Sequence, residues 1–471
     1  MISLRKLLAL PHAVTLLAFA GGCALTNPTD AYAPALGRYG PTAPWPVAAH
    51  GLAERPSAPL RLDECIQIAL ANNPQIGRRY WDAEAAAAQQ DVAAAQRWPM
   101  LSAVGSDRRH LDGQRLVAAR APGEVGAWSS DIFSADLVVS VPLFTGGRIV
   151  NEIGAAKLLW QATNRRLART RGELVFNVSS SFYSILGQRR VIESLEFSRK
   201  ALEEHRKRVQ DLMAVEKAAK VDLLRTEVRI ADIEQKLVRV KNTLAIQLQM
   251  LANLMGVADD SCSIDMAGDL GLMPVEVEEN AVARAYAQRD DYLAARGEVE
   301  GQAKRADAAR AGHWPTLSLV GSYGGRWAAG DATRQSGASA SEDAGSVGVS
   351  VGVPLFDGGQ INATVRRERA KLAAAQEDLR SLELQIRLEV QTAVLNLTSS
   401  LERVRATEKA IEQARESLRI EAEKYELGKG SITDVLDAQS ALLEAETNHA
   451  QALAEHNISV AQYRLAMGED Q

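Results

Sequence analysis

Residues 347–359 read Val347-Gly348-Val349-Ser350-Val351-Gly352-Val353-Pro354-Leu355-Phe356-Asp357-Gly358-Gly359, and no proline follows Pro354. Valines at strict period two, with Gly and Ser between them, make a strand with one apolar and one small polar face. Pro354 and the Gly-Gly pair end it. From Gln360 to Tyr425 a helical tract of 66 residues then runs on, about 100 Å at 1.5 Å per residue. It turns and returns as Ser431 to Met467.

The same order occurs earlier. Val141-Pro142-Leu143-Phe144-Thr145-Gly146-Gly147 matches Val353 to Gly359 at an offset of 212, which persists to Met255-Gly256 and Met467-Gly468. Upstream, Gln96-Arg97-Trp98-Pro99-Met100-Leu101-Ser102 sits beside Gly312-His313-Trp314-Pro315-Thr316-Leu317-Ser318 at an offset of 216. The change of four residues marks a loop. Two repeats of this size exceed solenoid periods, so the chain is a duplicated domain: 61–256 and 274–468, with 257–273 between them and a tail at 469–471. Each repeat opens with a helix, Asp63 to Arg97 and Val275 to His313, stopped at Trp-Pro because the residue before proline avoids helical geometry. Strands follow: Pro99 to Arg108, Ala135 to Val141, the run from Thr316 to Gly321, and Val347 to Val353. Loops 110–130 and 328–344 join the pairs. In repeat one the long helix is Arg148 to Met213, returning as Val221 to Met255. On that return Leu237, Val240, Leu244, Leu248, Leu251 and Met255 step by threes and fours, a coiled-coil-like seam. Such a narrow stripe makes no globular core alone, so the hairpins are expected to pack against copies of themselves.

Composition agrees. Of 471 residues only 5% are aromatic, and eight of the 15 prolines lie in the first 60. Long proline-free tracts rich in Ala, Glu, Leu, Arg and Gln suit extended helices. A net charge of −5 offers no basic field for nucleic acid. Compact α/β enzymes are disfavoured.

The first 22 residues read as a secretory signal, with Arg5 and Lys6 ahead of an apolar run from Leu7 to Ala20. That run is too short and too interrupted, by Pro11 and His12, to span a bilayer. Cleavage after Ala18-Phe19-Ala20 competes with a lipobox ending at Cys23, which is favoured and predicts lipidation of Cys23. Residues 23–60 form a Pro-rich linker.

Strand pairs in a secreted chain without a membrane helix suggest a transmembrane β-barrel. Four strands cannot close one, since about eight are needed, so several chains must contribute. Val347, Val349, Val351 and Val353 would face outer-membrane lipid, with Gly348, Ser350 and Gly352 toward the lumen. Trp98, Trp314, Phe144 and Phe356 stand at the helix-joined strand ends, as an interfacial aromatic girdle or as packing at the joint. The Gly-Gly pairs at 146–147, 324–325 and 358–359 read as structural turns, because no Gly-x-x-x-x-Gly-Lys-Ser/Thr occurs. Seven scattered histidines give no metal motif, no catalytic triad is legible, and no cofactor is expected.

The duplication, the Trp-Pro and Pro-Leu-Phe-x-Gly-Gly landmarks, and Tyr425-x-x-Gly428-x-x-Ser431-x-x-Asp434-Val435-Leu436-Asp437-Ala438 together resemble the TolC-like outer-membrane efflux protein family, over about 61–468. The resemblance implies a mainly α fold with a β-barrel part: long antiparallel coiled-coil hairpins plus four transmembrane strands per chain. A homotrimer would form a 12-stranded barrel continued by a periplasmic helical tunnel. It further implies a periplasmic adaptor protein and an inner-membrane pump of the resistance-nodulation-division or ABC type. Asp434 and Asp437, three apart on one helical face, become the acidic periplasmic entrance, with Tyr425 in the closing network. The alternative is a solvated face with Ser431 as N-cap. Gly428, Ser431, Val435, Leu436, Asp222 and Leu224 would meet the adaptor at the hairpin tips. The family's basic closing residue falls on Gly430, with Lys429 as a substitute, and Arg225 replaces Asp437 in repeat one. Cys65 and Cys262 lie in segments that the family places near mid-tunnel, either paired or free.

The function so implied is a passive exit duct for small molecules, not an enzyme. A duct for type I protein secretion and a structural coiled-coil scaffold on the envelope are the alternatives.

Overall fold

The computed structural model describes residues 59–216, 219–257, 265–328, 333–339 and 341–469. The signal segment, Cys23, nearly all of the linker and Cys262 lie outside them. The chain is mainly helical with one antiparallel sheet. Its elements are α1 Leu62–Asn72, α2 Pro74–Ala95, β1 Met100–Arg115, β2 Ala127–Phe144, α3 Arg148–Ala214 and α4 Lys220–Leu254. The second half adds α5 Ala281–Gln288, α6 Asp290–Arg310, β3 Thr316–Ala328, β4 Thr333–Arg334, β5 Ser341–Gly352, α7 Gln360–Glu426 and α8 Ile432–Met467. Both α3 and α7 have 67 residues.

The expected opening helices are each broken. Asn73 and Arg289, 216 apart, are both extended (φ −66, ψ 123 and φ −63, ψ 122). Pro74 explains the first break, since the residue before proline avoids the helical region. Both breaks also serve the end of the return helix in their own repeat. The Asn73 amide donates to the Leu254 carbonyl (2.8 Å) while its Oδ1 accepts the Gln75 N–H. Arg289, buried, donates to the Ala466 carbonyl (3.4 Å) and pairs with Asp291 and Glu389. Gly256 and Gly468 end the returns at these junctions with φ of 67 and 76. A Cβ on Gly256 would lie 2.6 Å from the Asn72 carbonyl oxygen, and one on Gly468 3.0 Å from Arg289 Cα. Only glycine offers both that φ and that clearance. Val275 to Asn280, expected as helix, precedes α5 without helical structure and ends in a turn at 279–280.

The sheet order is β1-β2-β3-β5, all antiparallel, with short β4 on β2. Each long strand is continued by one helix: α2 leads into β1, β2 into α3, α6 into β3 and β5 into α7. The helices pack in the same order, α2 on α3, α3 on α6, α6 on α7. Farther from the sheet, α4 and α8 take the places of α2 and α6, with α8 between α3 and α7. The result is one continuous wall whose two edges, β1 and β5 in the sheet, are unpaired within the chain. The Gly-Gly turns at 146–147 and 358–359, all at positive φ, join strand to helix.

Four expectations need correction. The strands are longer than read: β1 runs to Arg115 and β2 starts at Ala127, so the first loop shrinks to 116–126. Val353 falls just outside β5, next to Pro354. Gly324-Gly325 is no turn but lies inside β3. A Cβ on Gly324 would sit 2.0 Å from the Ala135 carbonyl oxygen and 2.4 Å from Asp136 Oδ1, and the space lets Asp136 reach Arg326 (2.7 Å). Finally, the hairpins find a core within one chain. Leu195 and Leu202 of α3, Ile230, Ile233 and Leu237 of α4, and Ile432, Leu436 and Leu443 of α8 form one buried cluster. A second core gathers the Leu248, Leu251 and Met255 end of the seam with Val178 and Phe182 of α3 and with Cys65. Cys65 is a free, buried thiol, and burial, with Glu64 nearby, pushes it up to about 11.

Candidate functional site

Between the register shifts at Arg109/Gln114 and Pro142/Phe144, cross-strand register assigns the side chains of the sheet to faces. Val349 pairs with Leu319 and Leu319 with Val141; Val347 pairs with Gly321, Gly321 with Val139 and Val139 with Leu101. Directly opposed residues share a face, so odd-numbered positions form a mainly apolar surface across all four strands, with Asp107, Arg109, Asp131 and Asp343 on it only toward the outer end. Even-numbered positions form the other: Ser350 with Ser318, Ser346 with Ser322, and Ser134 with Ser106. Serine hydroxyls bridge strands on that side, Ser106 to Ser134 at 2.7 Å and Ser322 to Ser346 at 2.9 Å, beside the Asp136–Arg326 pair. A sheet apolar on one side and hydroxylated on the other has the surface of a barrel wall between lipid and water.

Trp98, Phe144, Trp314 and Phe356 are all exposed at the helix-joined end. Sequence reading missed a second aromatic set at the opposite end of the odd face, where Phe133 and Trp327 are directly opposed and Tyr323 lies nearby. Their odd parity was the available signal. From Phe133 to Phe144 is about 36 Å along the strand at about 3.3 Å per residue. With a tilt near 40° that is about 28 Å of depth, close to the apolar band of about 25 Å in such barrels.

At the far ends of the hairpins, α7 ends on Leu427, and Gly428 takes φ +70. In repeat one Glu216 takes the matching position at φ 61. A Cβ on Gly430 would lie 3.0 Å from the Tyr425 nitrogen, so a side chain at this position would be crowded. Ser431 caps α8, its Oγ accepting the Thr433 N–H (3.1 Å), while the Ser431 N–H donates to Asp434 Oδ2 (3.4 Å). Asp222 caps α4 in the same way, accepting the Ala219 N–H (3.3 Å). Asp434 is therefore engaged as a cap, and Asp437 is bound by Arg229 at 3.0 Å. Both carboxylates remain exposed.

Further links join the two hairpins. Arg225 donates to Thr433 Oγ1 (3.1 Å), Arg208 pairs with Glu426 (3.0 Å), and Tyr425 packs its ring on His205 with centroids 5.9 Å apart. Burial raises the Tyr425 phenol above its ordinary value, Asp222 adding and Arg208 opposing. The His205 imidazole is held below its usual value by burial first and Arg208 second, against Asp222. Its Nε2 is buried without a hydrogen-bond partner. Arg229, Arg208 and His205 were invisible in sequence, because which face of hairpin one meets hairpin two is a matter of tertiary register. Leu224 is exposed, as an outward contact requires, but Val435 and Leu436 are buried. At these helical positions both side chains point inward in the single chain. Leu436 contributes instead to the floor of a groove of about 570 Å³ between α4 and α8 across α3. Among the described residues no three of His, Cys, Asp and Glu are placed to hold a metal.

The family model for outer membrane efflux proteins matches residues 65–257 and again 281–469, once per repeat. The chain belongs to the outer membrane efflux protein family. It is 25% identical over 384 residues to outer membrane protein TolC of Vibrio cholerae, covering 80% of this chain and 86% of that one. It is 25% identical over 429 residues to outer membrane protein OprJ of Pseudomonas aeruginosa, covering 86% and 84%. Among solved structures, the outer membrane protein VceC of Vibrio cholerae superposes with a TM-score of 0.72 at 20% identity, covering 87% of this chain and 96% of that one. Family membership and fold agree with the face separation seen here.

Proposed function

We propose that this outer-membrane efflux protein is the passive exit duct of a tripartite system, carrying small molecules such as drugs, toxic compounds or metals from an inner-membrane pump to the outside. The observation that carries the reading is the parity of the sheet: odd residues apolar for lipid, even residues hydroxylated for water. Three copies supply the rest. Four long strands with two unpaired edges cannot close a barrel alone, whereas twelve exceed the minimum of about eight. An apolar stripe on α7, Leu384, Leu388 and Leu395, is exposed in the single chain and suits burial against a neighbouring copy.

A periplasmic adaptor is expected at the hairpin tips. Gly428, Ser431, Asp222 and Leu224 are available there, and the groove between α4 and α8 has an apolar floor of Leu195, Leu202, Ile233 and Leu443. Its rim carries Arg229, Asp232, Lys236 and Glu444, a lining suited to an amphipathic helix. Asp434, Asp437 and Tyr425 form the periplasmic entrance, where a carboxylate ring concentrates cations. A lipid on Cys23 would add an anchor, weaker than the barrel itself.

Planar-bilayer recording on the purified chain tests the duct, and a scaffold without a channel would give no conductance. Deleting the gene then tests the cargo. Sensitivity to drugs, metals or solvents is expected, and loss of a secreted protein with unchanged sensitivities would move the cargo to protein export.

A further inference from the structure

The outer end of the sheet, away from the helices, is covered on one side only. Ile132 and Ala328 are directly opposed, and both lie on the even, hydroxylated face. Ile132 is only 9% exposed, whereas its odd-face neighbours Phe133 and Trp327 stay 45% and 41% exposed. The cover comes from the loops beyond the strands: Ile132 forms one cluster with Leu116 and Ala127 of the first hairpin, with Ala328 and Ala338 against it.

Polar bonds hold the same arrangement. Arg115 donates to the carbonyls of Glu124 and Val125 (3.1 and 3.2 Å) and lies 5.6 Å from the Trp128 ring centroid. Gly126 and Gln335 exchange two bonds, the Gly126 N–H to Gln335 Oε1 (3.0 Å) and the Gln335 N–H to the Gly126 carbonyl (3.1 Å). Arg120, at the tip of the loop between β1 and β2, donates to the Asp343 carbonyl on β5, two strands beyond β2. The first loop therefore reaches across the sheet rather than standing above it.

We propose that residues 116–126, seated on Gln335 and Ala338, form an inward-folded flap that narrows the external mouth of the duct and limits the size of what passes there. The inference rests on the assignment of the even face to the lumen. An apolar cluster gives the flap a folded resting position, because exposing Leu116 and Ile132 to water in the lumen is unfavourable. Three tethers outside the membrane-spanning part of the sheet fix its direction. Each copy of the chain brings one flap to the mouth.

The test uses full-length protein in intact cells with Ser134→Cys, one even-face step inside Ile132, labelled from outside by maleimides of increasing size and read on that peptide. A small maleimide is expected to react whether or not the flap is intact. A bulky polyethylene-glycol maleimide should react at least tenfold faster once residues 117–124 are replaced by a short Gly-Ser turn. Arg120→Ala with Gln335→Ala, which keeps the loop, cuts one tether and weakens a second, should give a smaller gain and serves if the excision fails to assemble. Equal reactivity of the bulky reagent with and without the flap, in assembled protein, would overturn the flap. Failure of the small reagent to reach Ser134→Cys at all, together with reaction at Phe133→Cys from the lipid side, would instead overturn the face assignment beneath it.

Discussion

Val349 and Ser350 are neighbours in the chain and lie on opposite faces of the sheet. Arginine at mid-membrane on a lipid face costs about 2–4 kcal/mol, so Val349→Arg should lower the yield of assembled, heat-resistant protein in the outer membrane. Ser350→Arg should assemble normally and change conductance, and equal assembly defects would defeat the face assignment. Asp437 poses a similar contrast at the other end of the molecule. Its pairing with Arg229 is solvent-exposed and is worth at most about 1 kcal/mol, so fold stability is a poor readout and charge a good one. Asp434→Ala with Asp437→Ala should reduce cation selectivity in single-channel recordings. Arg229→Ala, which frees Asp437, should increase it. Selectivity unmoved by either change, with assembly intact, returns these carboxylates to capping and surface pairing alone.

Among elements, the contact between α3 and α7 near the tip is built around a half-buried histidine. His205 is kept neutral by burial and by Arg208, while Asp222 opposes and Tyr425 covers the ring. Because its folded pKa lies below the unfolded value of about 6.5, the neutral imidazole contributes stability above that pH. The contribution is lost as pH falls through the lower, folded value. Acidification from pH 7.5 to 5.5 should therefore loosen this contact before the rest of the hairpins. Hydrogen exchange, corrected for its intrinsic pH dependence, should show lost protection around residues 202–209 and 422–427. His205→Gln should remove the pH dependence, and a uniform loss along all four long helices would contradict a local origin.

At the scale of the molecule, one wall runs from sheet through the paired helices to the tips, and each level ends in an unsatisfied edge. Unpaired strand edges attract other strands, and Leu388 on α7 is 65% exposed in the single chain. Burying such a leucine is worth about 1.5–3 kcal/mol, gained once per copy. Leu388→Glu should shift the proposed trimer toward monomer in native mass spectrometry from detergent, with Arg387→Glu, its neighbour, as a charge control. Trimers of unchanged stability in Leu388→Glu would place the copy-to-copy contact elsewhere.

Periodicity and duplication were enough to read the element order, because they are local or repeat at fixed offsets. Valines at 347, 349 and 351 specify a two-faced strand wherever it lies, and for the four long helices the proline-free tracts place the ends within a residue. The landmarks Trp-Pro, Pro-Leu-Phe-x-Gly-Gly and Met-Gly mark positions where backbone geometry admits few residues. Tertiary structure alone decided the rest. The break at Arg289 carries no proline; the buried ion pairs and the Ala466 carbonyl that hold it come from α6, α7 and α8. Gly324-Gly325 looks like a turn in sequence, but the missing Cβ of Gly324 makes room for Asp136, which pairs with Arg326 through the pairing of β2 with β3, and that of Gly325 for the Trp327 ring. Arg229 against Asp437, His205 against Tyr425 and Leu116 over Ile132 join residues from separate elements. Such pairings depend on how helices and strands register against one another in space, and no periodicity along a single segment encodes that register.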